Sequence, residues 1–159
     1  MGKISSLSET EKAYIAGFLD GDGSIIGSVE KHKGKVFKYR VRIIVKFSQH
    51  VENVSLLKFL KKLIGEGYIS KSGTVAELVV KSQDTVENFL TEIEPFVFLK
   101  RKQIAYAKKI LKKRKSPMNK KNFILLVKWA YKIGDNNLKS KSRKKLTLQN
   151  VLEDISCND

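Results

Sequence analysis

Residues 37–48, FKYRVRIIVKFS, decide the fold of this chain. Apolar residues alternate almost without interruption with polar or basic ones, and this period of two is typical of a half-buried β-strand. Residues 24–32 predict its hairpin partner. The connection at 33–35 contains Gly34, which permits the positive φ that a tight turn often requires. The two strands predict a ribbon with one apolar face and one basic face.

The flanking sequence predicts helices on both sides and a second, weaker copy of the same pattern. Ser8 and Glu11 form a capping box at the start of a helix, which the turn-forming residues 20–23, DGDG, should end. A helix over 53–64 stops at Gly65, and a second hairpin follows at 68–72 and 75–81. A helix over 84–94 ends at Pro95. Three more helices are expected at 101–114, 119–133 and 147–155.

The predicted order is αββαββα with additional C-terminal helices, which is an α+β fold. The two hairpins should join into one antiparallel sheet, with helices covering its apolar face and its polar face left open. A length of 159 residues without an evident linker predicts one domain over 1–159.

The charge is strongly positive and unevenly distributed. Thirty-two Lys and Arg against 16 Asp and Glu give a formal net charge of +16, and residues 100–145 contain 18 basic residues and a single acid, Asp135. A hydrophobic content of 42% argues against a disordered basic tail. A folded domain with this charge attracts a polyanion.

Cysteine content and hydropathy indicate the compartment only coarsely. The single cysteine, Cys157, cannot form an internal disulfide, and no stretch has the roughly 18 apolar residues of a membrane span. We expect a protein without a membrane partner that stays inside the cell, in the cytoplasm of a prokaryote or in an organelle.

The open face of the predicted sheet carries both hydrogen-bond donors and acceptors. A two-stranded ribbon is narrow enough to enter the major groove of DNA, where each base pair presents its own pattern of donors and acceptors. The alternative is a solvated face whose charges only aid solubility. The residues expected to contact DNA from the four strands are Ser24, Ile26, Ser28, Glu30, His32, Lys38, Arg40, Arg42, Ile44, Lys46, Ser70, Ser72, Glu77, Val79 and Lys81.

The junction between the first helix and the first strand carries two carboxylates, Asp20 and Asp22. Mg²⁺ prefers oxygen ligands and shares them with phosphate, so this junction is a candidate metal site. It is not an EF-hand loop, because the positions that need glycine and an acid hold Ile25 and Lys31. The alternative is a simple turn that ends the helix.

A stripe of small residues runs along the first helix at a spacing of four: Ala13, Gly17 and Gly21. Small residues allow two helix backbones to approach closely. If the partner is the same helix of a second subunit, a two-fold axis brings two copies of Asp22 together. The alternative is close packing of this helix on its own sheet.

Residues 15–23, IAGFLDGDG, resemble the LAGLIDADG motif of homing endonucleases. The order of elements, the basic ribbon and the length are similar to the single-motif, homodimeric members of that family, and no second copy of the motif follows. The resemblance implies a saddle-shaped sheet on double-stranded DNA, a homodimer, and cleavage of a long pseudo-palindromic site.

The resemblance also implies roles for individual residues. Asp22 and the carbonyl of Gly21 would bind Mg²⁺, for which Mn²⁺ or Ca²⁺ can substitute in binding, while Gln49 and Lys100 would join Asp22 in catalysis by ordering water. The helix interface would contain Ala13, Ala16, Gly17, Asp20 and Gly21. A C-terminal loop would grip the DNA backbone through Ser140, Lys141, Arg143 and Lys144.

One departure from the family pattern and two other functions remain open. After Gln49 the related dimers often carry a basic residue, whereas this chain reads HVEN at 50–53. An intron maturase or a non-cleaving binding protein of the same fold would bind RNA or DNA without cutting it. A structural nucleic-acid protein would explain the charge but not the DGDG junction.

Overall fold

The protein is described by a computed structural model that covers residues 3–137 and 146–157. Short 3₁₀ helices lie at Lys3–Ser6, Val51–Asn53 and Glu94–Phe96. The main elements in this part of the chain are α1 (Glu9–Asp22), β1 (Gly23–Lys31), β2 (Tyr39–His50), α2 (Val54–Ile64), β3 (Tyr68–Ser72), β4 (Val75–Val80), α3 (Gln83–Ile93), α4 (Arg101–Lys113), α5 (Lys120–Asp135) and α6 (Leu148–Ser156). The predicted αββαββα order with C-terminal helices is confirmed.

The four strands form one sheet in the order β1-β2-β4-β3, and every neighbouring pair is antiparallel. Strand β2 is long enough to pair with β1 along one edge and with β4 along the other. Phe47, for example, lies opposite Gly23 on β1 and opposite Leu78 on β4. The two hairpins therefore join through β2 and β4, as the sequence predicts.

The apolar face of the sheet packs against the helices. Tyr39, Ile43, Val45 and Phe47 from β2 are buried, because a period of two places all four on one face. The Phe47 ring lies 5.7 Å from the ring of Phe18 on α1 and 6.1 Å from that of Phe89 on α3. The buried apolar residues form one connected core that fixes α1 on the sheet.

Both the start and the end of α1 agree with the sequence. Ser8 and Glu11 form the expected capping box. The helix continues through Asp22 and ends where the Gly23 N–H bonds to the carbonyl of Leu19, within the segment 20–23 that the sequence predicts to end it.

The connection between β1 and β2 is wider than the tight turn expected at 33–35. It spans residues 32–38, where the His32 N–H bonds to the carbonyl of Lys38 at 2.8 Å. The positive φ of 58° belongs to Lys38 and not to Gly34. Phe37 leaves the strand to stack on Phe123 of α5, with ring centroids 4.9 Å apart, so tertiary packing decides this connection.

In the part of the chain that the structure describes, none of the helices combines the length and the apolar character that crossing a membrane requires.

Candidate functional site

Two polar side chains meet at the C-terminal end of α1. Asp22 is the last residue of this helix and is exposed. The Gln49 side chain near the end of β2 donates from Nε2 to Oδ2 of Asp22 at 2.8 Å. Asn53 lies one turn further and donates to Oε1 of Gln49 at 3.4 Å. The pairing of Gly23 with Phe47 sets this register and thereby brings Gln49 to Asp22.

Lys100 reaches the same end of α1 through Asp20. The Asp20 carboxylate accepts the backbone N–H of Phe98 at 2.7 Å and that of Lys100 at 3.2 Å, which ties the 97–100 segment to the helix. The Lys100 Nζ then donates to the carbonyl of Asp20 at 3.0 Å. A cation at this position is favourable because the helix C-terminus carries partial negative charge. The carboxylate of Asp20, predicted at the helix interface, is used within its own subunit.

Hard oxygen donors are available where the sequence predicts metal binding. The Asp22 carboxylate is exposed, and the carbonyl of Gly21 is one of the last four in α1, which have no partner within the helix. These donors suit Mg²⁺, which keeps several water molecules and binds through one or two protein carboxylates. Within residues 3–137 and 146–157, no group of three or more His, Cys, Asp or Glu side chains is arranged to hold a metal ion.

One face of α1 is not covered by any of the residues in 3–137 and 146–157. A Cβ atom built on Gly17 or Gly21 would meet nothing within 4 Å, and Ala13 and Tyr14 are exposed beside them. Ala16 does not belong to this face. It is fully buried in the core of its own subunit, so its assignment to the helix interface is wrong.

Large apolar side chains adjoin this open face, and the sequence analysis did not identify them. Tyr14 is 49% exposed, and Phe98 and Leu99 are 76% and 67% exposed on the segment that Asp20 ties to α1. The sequence gives little indication that Phe98 and Leu99 are exposed. They continue an apolar run with Val97, which is fully buried, so the run as a whole resembles core sequence. A shallow groove on the helix is lined by Ala13, Tyr14, Gly17, Phe18, Gly21 and Asp22.

The polar face of the sheet carries an ion-paired cluster near the far end of β1. Glu30 accepts from Arg40 Nη2 at 2.9 Å and from Arg42 Nη2 at 3.0 Å, and the Ser28 hydroxyl donates to the same carboxylate at 2.8 Å. Hydrogen bonds from Arg40, Ser28 and Arg42 outweigh desolvation and lower the pKa of Glu30 to about 2. Glu30 therefore keeps its negative charge at neutral pH.

A second and looser cluster lies in the middle of the sheet. Glu77 on β4 accepts from Lys46 Nζ at 3.3 Å and from the Ser48 hydroxyl at 3.4 Å, and Ser70 pairs with Glu77 across β3 and β4. At the edge, the Lys81 ammonium lies 5.3 Å from the Tyr68 ring centroid. Donors and acceptors of this face thus come from all four strands.

Two of the predicted DNA contacts are covered on this face, and others lie at or outside its ends. Ile44 and Val79 retain only 7% and 3% exposure, so these two assignments are corrected: their buried side chains offer almost no surface to DNA. Ile26 lies opposite Ile44, and Ser24 lies opposite Lys46. His32 and Lys38 fall in the connection between β1 and β2, while Ser72 ends β3 and is exposed.

The predicted phosphate-binding loop is not part of the described structure. Ser140, Lys141, Arg143 and Lys144 lie outside the described residues. The helices that precede this loop carry a second basic surface on α4 and α5, with Lys109 lying 5.2 Å from the Tyr106 ring centroid and 6.0 Å from that of Trp129. Its exposed lysines are Lys102, Lys109, Lys112, Lys121, Lys128 and Lys132.

The sequence matches the LAGLIDADG endonuclease family over residues 15–112. It is also 30% identical over 145 residues to the DNA endonuclease I-CreI of Chlamydomonas reinhardtii, a match that covers 90% of this chain and 89% of that protein. It is 28% identical over 102 residues to the DNA endonuclease I-CvuI of Chlorella vulgaris, covering 64% and 63% of the two chains. This chain belongs to the LAGLIDADG endonuclease family.

Solved structures share the fold over almost the whole length of the chain. The homing endonuclease I-CvuI in complex with a DNA target superposes with a TM-score of 0.86 at 24% identity, covering 94% of this chain and 95% of that one. The archaeal intron-encoded homing endonuclease I-Vdi141I, complexed with DNA, gives 0.81 at 22% identity, covering 94% and 97%. At these identities the likeness establishes the fold alone.

Proposed function

We propose that this chain is a homing endonuclease that binds a long pseudo-palindromic DNA site as a homodimer and makes a double-strand break in it. Membership of the LAGLIDADG endonuclease family supports the class of activity. The observation that carries the residue assignment is the exposed Asp22 carboxylate, which Gln49 contacts at the end of α1, beside a helix face that the described part of the chain leaves open.

The dimer is proposed to form through the open face of α1. Glycine at positions 17 and 21 lets a second helix approach closely, and a two-fold axis between the helices would bring two Asp22 side chains together. The exposed Tyr14, Phe98 and Leu99 would add apolar area at the rim of this contact. Two neighbouring sites are what cleavage of both DNA strands requires.

The residues at and near the end of α1 are proposed to have separate roles in phosphodiester hydrolysis. Asp22 and the Gly21 carbonyl would hold a divalent cation, for which Mg²⁺ is the proposed ion and Mn²⁺ or Ca²⁺ the substitutes in binding. Crystal structures of I-CvuI with DNA were obtained in the presence of magnesium or calcium. Such a cation supplies Lewis acidity to a phosphodiester. Gln49 orients the Asp22 carboxylate, and Lys100 adds positive charge beside the phosphate that would be cut.

The sheet would supply recognition. Donors and acceptors alternate along its polar face, a geometry that fits the edges of base pairs in the major groove. The basic residues among them, Arg40, Arg42 and Lys46, are each held by an acid of the same face. The predicted loop at 140–144 stays a proposal for backbone contacts.

The experiment that tests this function is cleavage of a randomised pseudo-palindromic duplex library in Mg²⁺ by the wild-type protein and by Asp22→Asn. We expect discrete paired cuts from the wild type and a loss of about 10³-fold or more in the variant, as for other essential catalytic groups. Asp135→Asn is the matched control, because Asp135 is the exposed last residue of α5 and should cut normally. Equal cutting by Asp22→Asn and wild type would contradict the assignment.

The alternative function, an RNA-binding maturase of the same fold, is not favoured by the relatives, which are DNA endonucleases, and would have to rest on the basic surface of α4 and α5. This surface combines six exposed lysines with the rings of Tyr106 and Trp129, and it lies on helices that pack against the apolar side of the sheet. Lysines interleaved with aromatic rings are suited to single-stranded RNA, as in a maturase-like protein. Binding of single-stranded RNA with no DNA cleavage in any divalent metal would favour this function over the first.

A further inference from the structure

Glu30 occupies an unusual place for an acid, because it lies on the face of the sheet that we assign to DNA. It is directly opposite Arg40 in the β1–β2 register, and Ser28 is opposite Arg42. All four side chains share one face, since residues 28 and 30 on β1 and residues 40 and 42 on β2 differ by two. One carboxylate thus lies between two guanidinium groups at 2.9 and 3.0 Å.

The hydrogen bonds of the two arginines determine which donors remain available. Both Nη2 groups donate to Glu30, and among the residues that the structure describes neither buried Nε atom has a hydrogen-bond partner. The side chains are partly exposed, 35% for Arg40 and 23% for Arg42. Since the recorded hydrogen bonds of both guanidinium groups run through Nη2, the end of each group that carries Nη1 is the edge left for a ligand.

This edge has the right chemistry for a single base. Two parallel N–H donors match O6 and N7 of guanine in the major groove, whereas the planar fork is also able to bind a phosphate. Phosphate contacts add affinity without sequence information. The Glu30 carboxylate between the two guanidinium groups repels phosphate and reduces the local charge from +2 to +1. It therefore disfavours non-specific binding of the arginines to the DNA backbone.

We propose that Glu30 is a specificity-determining positioning residue: it holds Arg40 and Arg42 side by side, so that each reads a guanine instead of a backbone phosphate. This inference rests on the proposed function, because it needs DNA on the polar face of the sheet. Direct reading of cytosine by Glu30 is disfavoured, since Ser28, Arg40 and Arg42 already donate to its two oxygens.

The same face contains a matched comparison. Glu77 also forms an ion pair with a basic side chain, that of Lys46, at 3.3 Å. The lysine ammonium is a point charge without the planar fork of an arginine. Removal of the Glu77 charge should strengthen the electrostatic attraction of this face for DNA phosphates without changing any contact with guanine. Glu77→Gln is therefore the control for Glu30→Gln.

The test begins with the wild-type protein and a randomised pseudo-palindromic duplex library in Ca²⁺, from which the bound duplexes are sequenced. A panel of single-base substitutions in the selected duplex is then titrated with the wild type, Glu30→Gln, Glu30→Asp and Glu77→Gln at several salt concentrations. We expect the wild type to prefer guanine about 10-fold or more at one or two adjacent positions in each half-site, the usual cost of a mismatched base pair.

In Glu30→Gln this preference should fall to about 2- or 3-fold, while binding to unrelated duplex should tighten and its salt dependence should steepen by about one counterion. Glu30→Asp should restore part of the preference, and Glu77→Gln should leave these positions unchanged. Arg42→Lys gives an independent readout, because it keeps the charge and should lose guanine at one position only.

Two outcomes would overturn the inference. One is a uniform change in affinity across the panel in Glu30→Gln, which would make Glu30 a simple charge partner. The other is an unchanged preference in both Glu30→Gln and Arg42→Lys. A wild type that selects no sequence from the library would instead count against the proposed function.

Discussion

Two pairs of glycines lie close together in the chain but in opposite surroundings. On α1, a Cβ at Gly17 or Gly21 would meet nothing within 4 Å. At Gly23 it would lie 2.7 Å from the Cα of Leu19, and at Gly27 it would lie 2.6 Å from the carbonyl oxygen of Ala130 on α5. The second pair is required by packing within the subunit. The first pair has no such reason, which is why we assign it to contact with a second subunit.

The largest effect is expected from Gly17→Leu, which tests the open face directly. A Cβ at this position meets nothing within 4 Å among the described residues, and leucine favours the helix over glycine, so the fold should be at least as stable as in the wild type. The dimer should dissociate and cleavage of the target should fall by orders of magnitude, because each subunit supplies one site. Analytical ultracentrifugation and cleavage assays measure the two effects.

A leucine at an exposed position far from α1 controls for this substitution. Ala105 is exposed on α4, and Ala105→Leu should leave both the dimer and the cleavage rate unchanged. If Gly17→Leu remains a fully active dimer, the open face of α1 is not the dimer interface. The assignment of Gly17 and Gly21 to contact with a second subunit would then be wrong.

The next effect is expected from Gly27→Ala, which tests the crowded pair. The added methyl group would overlap the backbone of Ala130, so α5 must shift away from the sheet. Overpacking of this kind costs about 1–3 kcal/mol of unfolding free energy, which urea denaturation measures. Gly17→Ala is the reference and should be neutral or slightly stabilising. Equal stability of the two variants would show that α5 adapts to the methyl group.

The smallest effect is expected from Gly73→Ala, which separates crowding from backbone strain. Gly73 has open space around its Cβ position but a φ of +57°, in the left-handed region that L-residues avoid. The cost should be about 1 kcal/mol, and Gly73→Asn should recover part of it because asparagine tolerates this conformation better. A loss as large as that in Gly27→Ala would mean that the β3–β4 turn has packing requirements that its open surroundings do not indicate.

The LAGLIDADG-like segment shows how much of the candidate site can be predicted from the sequence. The capping box at Ser8, the small-residue stripe and the acid at residue 22 are visible in the sequence, and the family match establishes the class of protein. The partners of Asp20 are not visible, because they come from the backbone of residues 98 and 100, about eighty positions away. Lys100 reaches α1 through these bonds.

The amphipathic periods determined the order of elements, the faces of the strands and the pairing of the two hairpins. They did so because period and burial are linked in every helix and strand that packs on one core. Local signals also placed two helix caps, Ser8 before α1 and Gly65 after α2, where φ is +91°.

The tertiary structure alone decided which small and polar residues face inward or outward. Ala16 and Gly17 are neighbours in one motif, yet one is buried in the core and the other lies on the open face. Glu30 became a partner of two arginines only through the β1–β2 register, and Ile44 and Val79 are buried although the strand period places them on the polar face. These outcomes depend on contacts between residues distant in the chain, whose geometry exists only once the helices and strands have packed together.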